Sequence, residues 1–110
     1  SQVNSIIDND FINELLDEFS KESISAIYFG NLDDLEINLS ILDKYCPPLN
    51  FIRCEISLVK AYGRYLFDFE ECKFYGNKEY SFEYNNDQKE LVIWRFINSI
   101  CVGTEGNRKE

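Results

Sequence analysis

The sequence predicts an α+β domain, with an N-terminal helix packed on a five- or six-stranded, mainly antiparallel sheet. Three observations predict it. One helical stripe of apolar residues fills the first twenty positions. Runs of alternating apolar and polar residues fill most of the rest, and Gly, Asn or Pro breaks those runs at hairpin-like intervals. The 110 residues fit one domain, placed at 1–103, with 104–110 as a frayed tail. At 45% hydrophobic and 15% aromatic residues the chain can bury a core, which separates it from acidic disordered chains.

The elements follow in order. Over 5–21, Ile7, Phe11, Ile12, Leu15, Leu16 and Phe19 form one helical stripe, with Ser5 and Asp8 as a weak capping box. Ile24 to Phe29 is apolar in both phases, as a central strand is. Asp33 to Tyr45 is ambiguous. Leu35, Ile37, Leu39 and Ile41 alternate as a strand, while Leu32, Leu35, Leu39 and Leu42 also fit a helical face. The strand is favoured, because Ile37 and Ile41 would fall on the wrong side of a helix. Pro47-Pro48 ends the element either way.

Phe51 to Val59 reads as one strand, Gly63 as a bend, and Tyr65 to Phe69 as another strand. Glu71–Tyr75 and Glu79–Tyr84 read as a hairpin around Gly76-Asn77-Lys78. That loop pairs 74 with 80 and 72 with 82, and puts Cys72, Phe74, Tyr80 and Phe82 on one face. Phe67 and Phe69 are out of phase with Cys72 and Phe74, so a bulge is expected near Glu70-Glu71. Leu91 to Ile100 is the most apolar strand candidate. No internal repeat is apparent on this reading.

Chemistry is sparse. The chain has no histidine, which removes His-based triads and zinc sites. Asp8-Asn9-Asp10 begins like a calcium loop, but Asn13 stands where glycine is required and Phe19 where glutamate is. The glycines are scattered, so no phosphate loop forms. Carboxylate pairs are frequent by composition alone and identify no reaction, so no enzyme, metal or cofactor is expected. Cys46, Cys54, Cys72 and Cys101 lie 8, 18 and 29 positions apart among apolar neighbours. That favours reduced core thiols over a disulfide framework or a thiolate metal site. No membrane segment or leader is recognised, and a cytoplasmic location is the expectation.

Charge carries the functional expectation. Twenty acidic residues against eleven basic give a net charge of −9. That disfavours direct contact with nucleic acid or an anionic membrane and favours a basic protein partner. Tyrosines beside carboxylates suit a contact patch. The expected partner-binding residues are Asp68, Glu70, Glu71, Tyr75, Glu79, Glu83 and Tyr84 on an acidic strand face, with Asp33, Asp34 and Glu36 as a second group.

In size, acidity and lack of catalytic residues, the chain resembles the immunity proteins of bacterial toxin systems, including those of contact-dependent inhibition and polymorphic toxins. No motif carries the resemblance. It implies a protein-binding inhibitor that neutralises a cognate basic toxin domain, such as a nuclease, by covering its active site. The alternatives are an acidic adaptor or nucleic-acid mimic acting on a DNA-binding protein, and a small-ligand-binding domain.

Overall fold

The computed structural model describes residues 5–75, 79–82, 92–102 and 107–108. It corrects the predicted fold class. The described residues are mostly β, wound as parallel strands that pass between two facing sheets, with one short helix among them.

The strands are β1 Ser5–Asp8, β2 Ile27–Gly30, β3 Leu35–Leu39, β4 Leu49–Ile52, β5 Glu55–Ala61, β6 Tyr65–Glu70, β7 Lys73–Tyr75, β8 Glu79–Phe82, β9 Val92–Ile97, β10 Ile100–Val102 and β11 Asn107–Arg108, and the helix is α1 Asn9–Glu18. One sheet runs β1-β3-β5-β7-β10, with β8 also on β5 and β11 on β8; the other runs β2-β4-β6-β9. Among the described residues every pairing is parallel. The chain thus passes back and forth between the two sheets from coil to coil, with β7 and β8 together taking one place beside β5, the architecture of a β-solenoid.

A recurring four-residue unit sets the winding. Phe29, Phe51, Phe69 and Phe96 are register partners, at steps of 22, 18 and 27 residues. Two residues after each phenylalanine the backbone turns left-handed, at Asn31 (φ 59°), Arg53 (52°), Glu71 (54°) and Asn98 (49°). Asparagine tolerates that region, which suits two of the four corners. The next residue is Leu32, Cys54, Cys72 or Ser99. The unit Phe-x-x-(Leu/Cys/Ser) is therefore an internal repeat, contrary to the sequence reading. Its irregular spacing and degenerate last position hide it.

Backbone bonds run unbroken around the corner. Asn31 N–H donates to Ile52 O at 3.0 Å, Arg53 to Glu70 at 2.9 Å and Glu71 to Ile97 at 2.8 Å. Inside it, one pattern repeats. Cys54 Sγ donates to Phe29 O, Cys72 Sγ to Phe51 O and Ser99 Oγ to Phe69 O, at 3.6, 3.3 and 3.1 Å. The thiols and the hydroxyl do the same task, closing a carbonyl of the preceding coil.

The core lies between the sheets. Leu35, Ile37, Ile56 and Val59 meet Leu49, Phe51 and Phe69, all with no exposed surface. The phenylalanines stack face to face along the winding: 29 on 51 at 5.2 Å, 51 on 69 at 5.1 Å, 69 on 96 at 5.3 Å, with rings within 16° of parallel. Offset stacking of this kind adds about 0.5–1.5 kcal/mol per pair beyond area burial. Helix α1 covers the first coil: Ile12 is fully buried and Phe11 reaches the Phe29 ring at 6.1 Å. Such end-capping is what a wound sheet requires.

Other expectations meet tertiary constraints. The helix starts four residues later than predicted. Residues 5–8 pair with 35–38 as a strand, and Asp8 becomes the N-cap, accepting from Phe11 N–H at 2.9 Å. The ambiguous 33–45 segment holds strand β3 and then a loop, so its strand reading stands. The single strand read over 51–59 is two, split at Arg53. The bulge expected near Glu70-Glu71 is the Glu71 corner: the phase slip was legible, its cause was not. Among the described residues the expected hairpin does not form: β7 and β8 both pair with β5 instead of each other, and the Gly76-Asn77-Lys78 loop, Glu83 and Tyr84 lie outside the described residues. Gly63 does mark a bend, at φ 133°, where an added Cβ would sit 3.2 Å from Ile41 Cα. All four cysteines are free. Cys46, Cys54 and Cys72 are buried as expected, but Cys101 is exposed. Among the described residues no helix is long and apolar enough to cross a membrane.

Candidate functional site

The corner column carries a file of exposed polar side chains. Asn31, Arg53, Glu71 and Asn98 stack there with their side chains outside. Arg53 Nε donates to Asn31 Oδ1 at 3.3 Å, and its guanidinium lies 3.6 Å from Glu71. Just past the corner, the winding brings three distant segments together. Asp33 and Asp34 precede β3, Glu55 opens β5, and Tyr75 closes β7. Glu55 N–H donates to Leu32 O at 2.8 Å, and the Tyr75 hydroxyl donates to Glu55 Oε1 at 2.6 Å. That hydrogen bond holds the Tyr75 phenol above its ordinary range; burial and the negative charges of Glu55, Asp33 and Asp34 push the same way.

The structure therefore joins parts of the two predicted groups. Asp33 and Asp34 sit with Tyr75, and Glu71 occupies the neighbouring corner. Glu36 lies on the same sheet, half-buried in β3. Glu55 was missed by the sequence reading. Its place in an alternating run marked it as one more outward strand residue, and only the parallel register sets it beside Asp34.

Asp68 and Glu70 belong elsewhere. Both are on β6 in the other sheet, where Asp68 is register partner of Arg95 and is ion-paired to it. The second Asp68 oxygen, Oδ1, is buried without a hydrogen-bond partner among the described residues. The single acidic strand face expected for Asp68, Glu70, Glu71 and Tyr75 is thus divided by the corner: β6 faces out from one sheet and β7 from the other. Glu79 lies in β8, whose backbone alone is described, and Glu83 and Tyr84 lie outside the described residues.

Two clefts lie elsewhere on the described surface. One, of about 420 Å³, lies under the 41–46 loop against Arg64, Tyr65 and Leu66. Several of its polar groups are already engaged: Tyr65 donates its hydroxyl to Ser40 O, Cys46 its thiol to Pro47 O, and Lys44 pairs with Asp17 at 3.1 Å. Burial raises the Cys46 thiol to about 11, which makes it a poor nucleophile. The second, of about 390 Å³, lies between α1 and β2. The inner Cys72 thiol is held well up by its hydrogen bond with Cys54 and by burial. Among the described residues no group of three or more Cys, Asp or Glu side chains is placed to hold a metal ion. No known family model, curated protein or solved structure matches the chain.

Proposed function

We propose that the chain is a binding protein whose carboxylate-rich corner receives a cationic surface of a protein partner, as an immunity protein receives its toxin. The observation that carries this reading is the Tyr75 hydroxyl held on Glu55, with Asp33 and Asp34 near enough to add their negative charge. Carboxylates gathered on one part of a surface complement a Lys- or Arg-bearing partner and steer its approach. Tyr75 adds an aromatic surface of the kind enriched in interface hot spots. A nuclease domain is a suitable partner, since a site that grips phosphate must itself be basic.

Mimicry of a nucleic-acid backbone is less well supported. It calls for an unbroken file of carboxylates along the winding, and the files here are interrupted: Lys73 follows Glu55 in register, and Arg95 follows Asp68.

The test starts from the neighbouring reading frames: a basic toxin domain encoded in one of them, once purified, is the probe, and the lack of any such domain counts against the reading. The wild-type chain is expected to bind the purified domain with an affinity that falls steeply with salt and to suppress its activity. The combined D33K and D34K substitution is expected to weaken binding at least tenfold while the chain stays folded. Equal binding by that variant at low and high salt would overturn the reading.

A further inference from the structure

A second surface lies along β2, the terminal strand of its sheet. Strand β2 ends its sheet: among the described residues it pairs with β4 alone. Its inner bonds use alternate residues, with Ile27 N–H donating to Pro48 O at 2.9 Å and Asn31 N–H to Ile52 O at 3.0 Å. Parallel geometry then turns the N–H and C=O groups of Tyr28 to the other side, away from β4. An exposed strand edge of this kind is a template for a further strand.

The flank of that edge is a groove. The cleft of about 390 Å³ between α1 and β2 is lined by Leu15, Phe19, Ile24, Ala26, Tyr28 and Glu22, among others. Tyr28 is 68% exposed and Phe19 37%. On the helix, Glu14 and Glu18 lie on the exposed side next to Leu15, and Glu22 follows at the groove itself. Between Asn9 and Ala26 five carboxylates stand against a single lysine, Lys21, and one of the five, Asp17, is taken up by Lys44. The groove therefore combines an open hydrogen-bonding edge, an apolar floor and an acidic rim.

We propose that this groove accepts an extended segment of a partner protein as an added strand on β2, with apolar residues alternating with Lys or Arg. Strand addition draws affinity from main-chain hydrogen bonds and specificity from alternate side chains. Here the apolar side chains enter between Leu15, Phe19 and Ile24, and the basic ones meet Glu18 and Glu22. The surface is separate from the Asp34–Glu55–Tyr75 corner and does not depend on its role.

The probe is an end-blocked octapeptide of alternating Val and Lys, titrated into isotopically labelled protein. Controls are the Val-Glu peptide and a Val-Lys peptide N-methylated at alternate residues. Expected are slowed hydrogen exchange at the Tyr28 and Gly30 amides, at least tenfold weaker binding of the Val-Glu peptide, and loss of binding on N-methylation. The E18K and E22K double variant should lose tenfold or more in affinity for the Val-Lys peptide, while I41S, at the far cleft, should leave that affinity unchanged. The proposal is overturned by absent binding, by equal affinity for both charge types, by exchange at Tyr28 that stays unchanged, or by sedimentation showing that β2 pairs with a second copy of the chain.

Discussion

Replacing Phe51 tests the winding most sharply, because its ring lies between two others. It is fully buried, 5.2 Å from Phe29 and 5.1 Å from Phe69, within 16° of parallel to both. Removing such a ring costs about 3–5 kcal/mol as Phe→Ala. A domain of this size holds about 5–15 kcal/mol in total, so F51A should be strongly destabilised. Phe96 stacks on Phe69 at 5.3 Å but is 43% exposed, so F96A should cost roughly half as much. Gentler Leu substitutions permit a double-mutant cycle by urea unfolding. Phe51 and Phe69 should couple by about 0.5–1.5 kcal/mol, the worth of one aromatic pair. Phe51 and Phe96 are two coils apart, roughly 10 Å at the usual strand spacing, and should couple by less than about 0.5 kcal/mol. A Phe51–Phe96 coupling as large as the Phe51–Phe69 coupling, or an F51A cost below about 1 kcal/mol, would refute the stacked order.

Two further outcomes follow from single sites. At Gly63, φ is 133° and a Cβ would lie 3.1 Å from the Tyr65 ring and 3.2 Å from Ile41 Cα; G63A should lower unfolding free energy by about 1–3 kcal/mol in urea titration. Iodoacetamide applied to the folded chain at pH 8 should add one label, at Cys101, by intact mass and peptide mapping. Cys46, Cys54 and Cys72 are buried and should react only after unfolding.

Much of the strand content was legible, because alternation survives in any sheet. Ile37, Val59 and Phe69 announce themselves as core whichever way their strands run. Direction was not legible. A short apolar run, a Gly-Asn pair and another apolar run satisfy the local rules for a hairpin, and only contacts with β5 send both runs into parallel pairing. The corners were harder still. Arg53 and Glu71 carry no local sign of a left-handed backbone, whereas Asn31 and Asn98 do. Aligning the chain on its phenylalanines, with Cys54, Cys72 and Ser99 each three residues on, is the signal that recovers the winding.

The candidate site followed the same division. Residue type drew attention to Asp33, Asp34, Glu71 and Tyr75, and these do lie on or beside one corner. Asp68 was grouped with them by nearness in sequence, yet the corner at Glu71 turns the chain into the other sheet and leaves Asp68 facing Arg95. Glu55 escaped notice because its importance lies in its neighbours, twenty-odd residues away on either side.

Titration of Tyr75 probes the assembled corner most directly. Only the parallel winding puts its hydroxyl on Glu55, near Asp33 and Asp34. The folded phenol is raised above the unfolded value of about 10, so its contribution to stability is whole below that pH and is lost as pH climbs through the folded value. Carbon-13 NMR of the Tyr75 ring should show ionisation displaced upward from that of free tyrosine, and E55Q should return it toward the ordinary value. A Tyr75 that titrates like free tyrosine in the wild-type chain, or is indifferent to E55Q, would contradict the arrangement on which the proposed site rests.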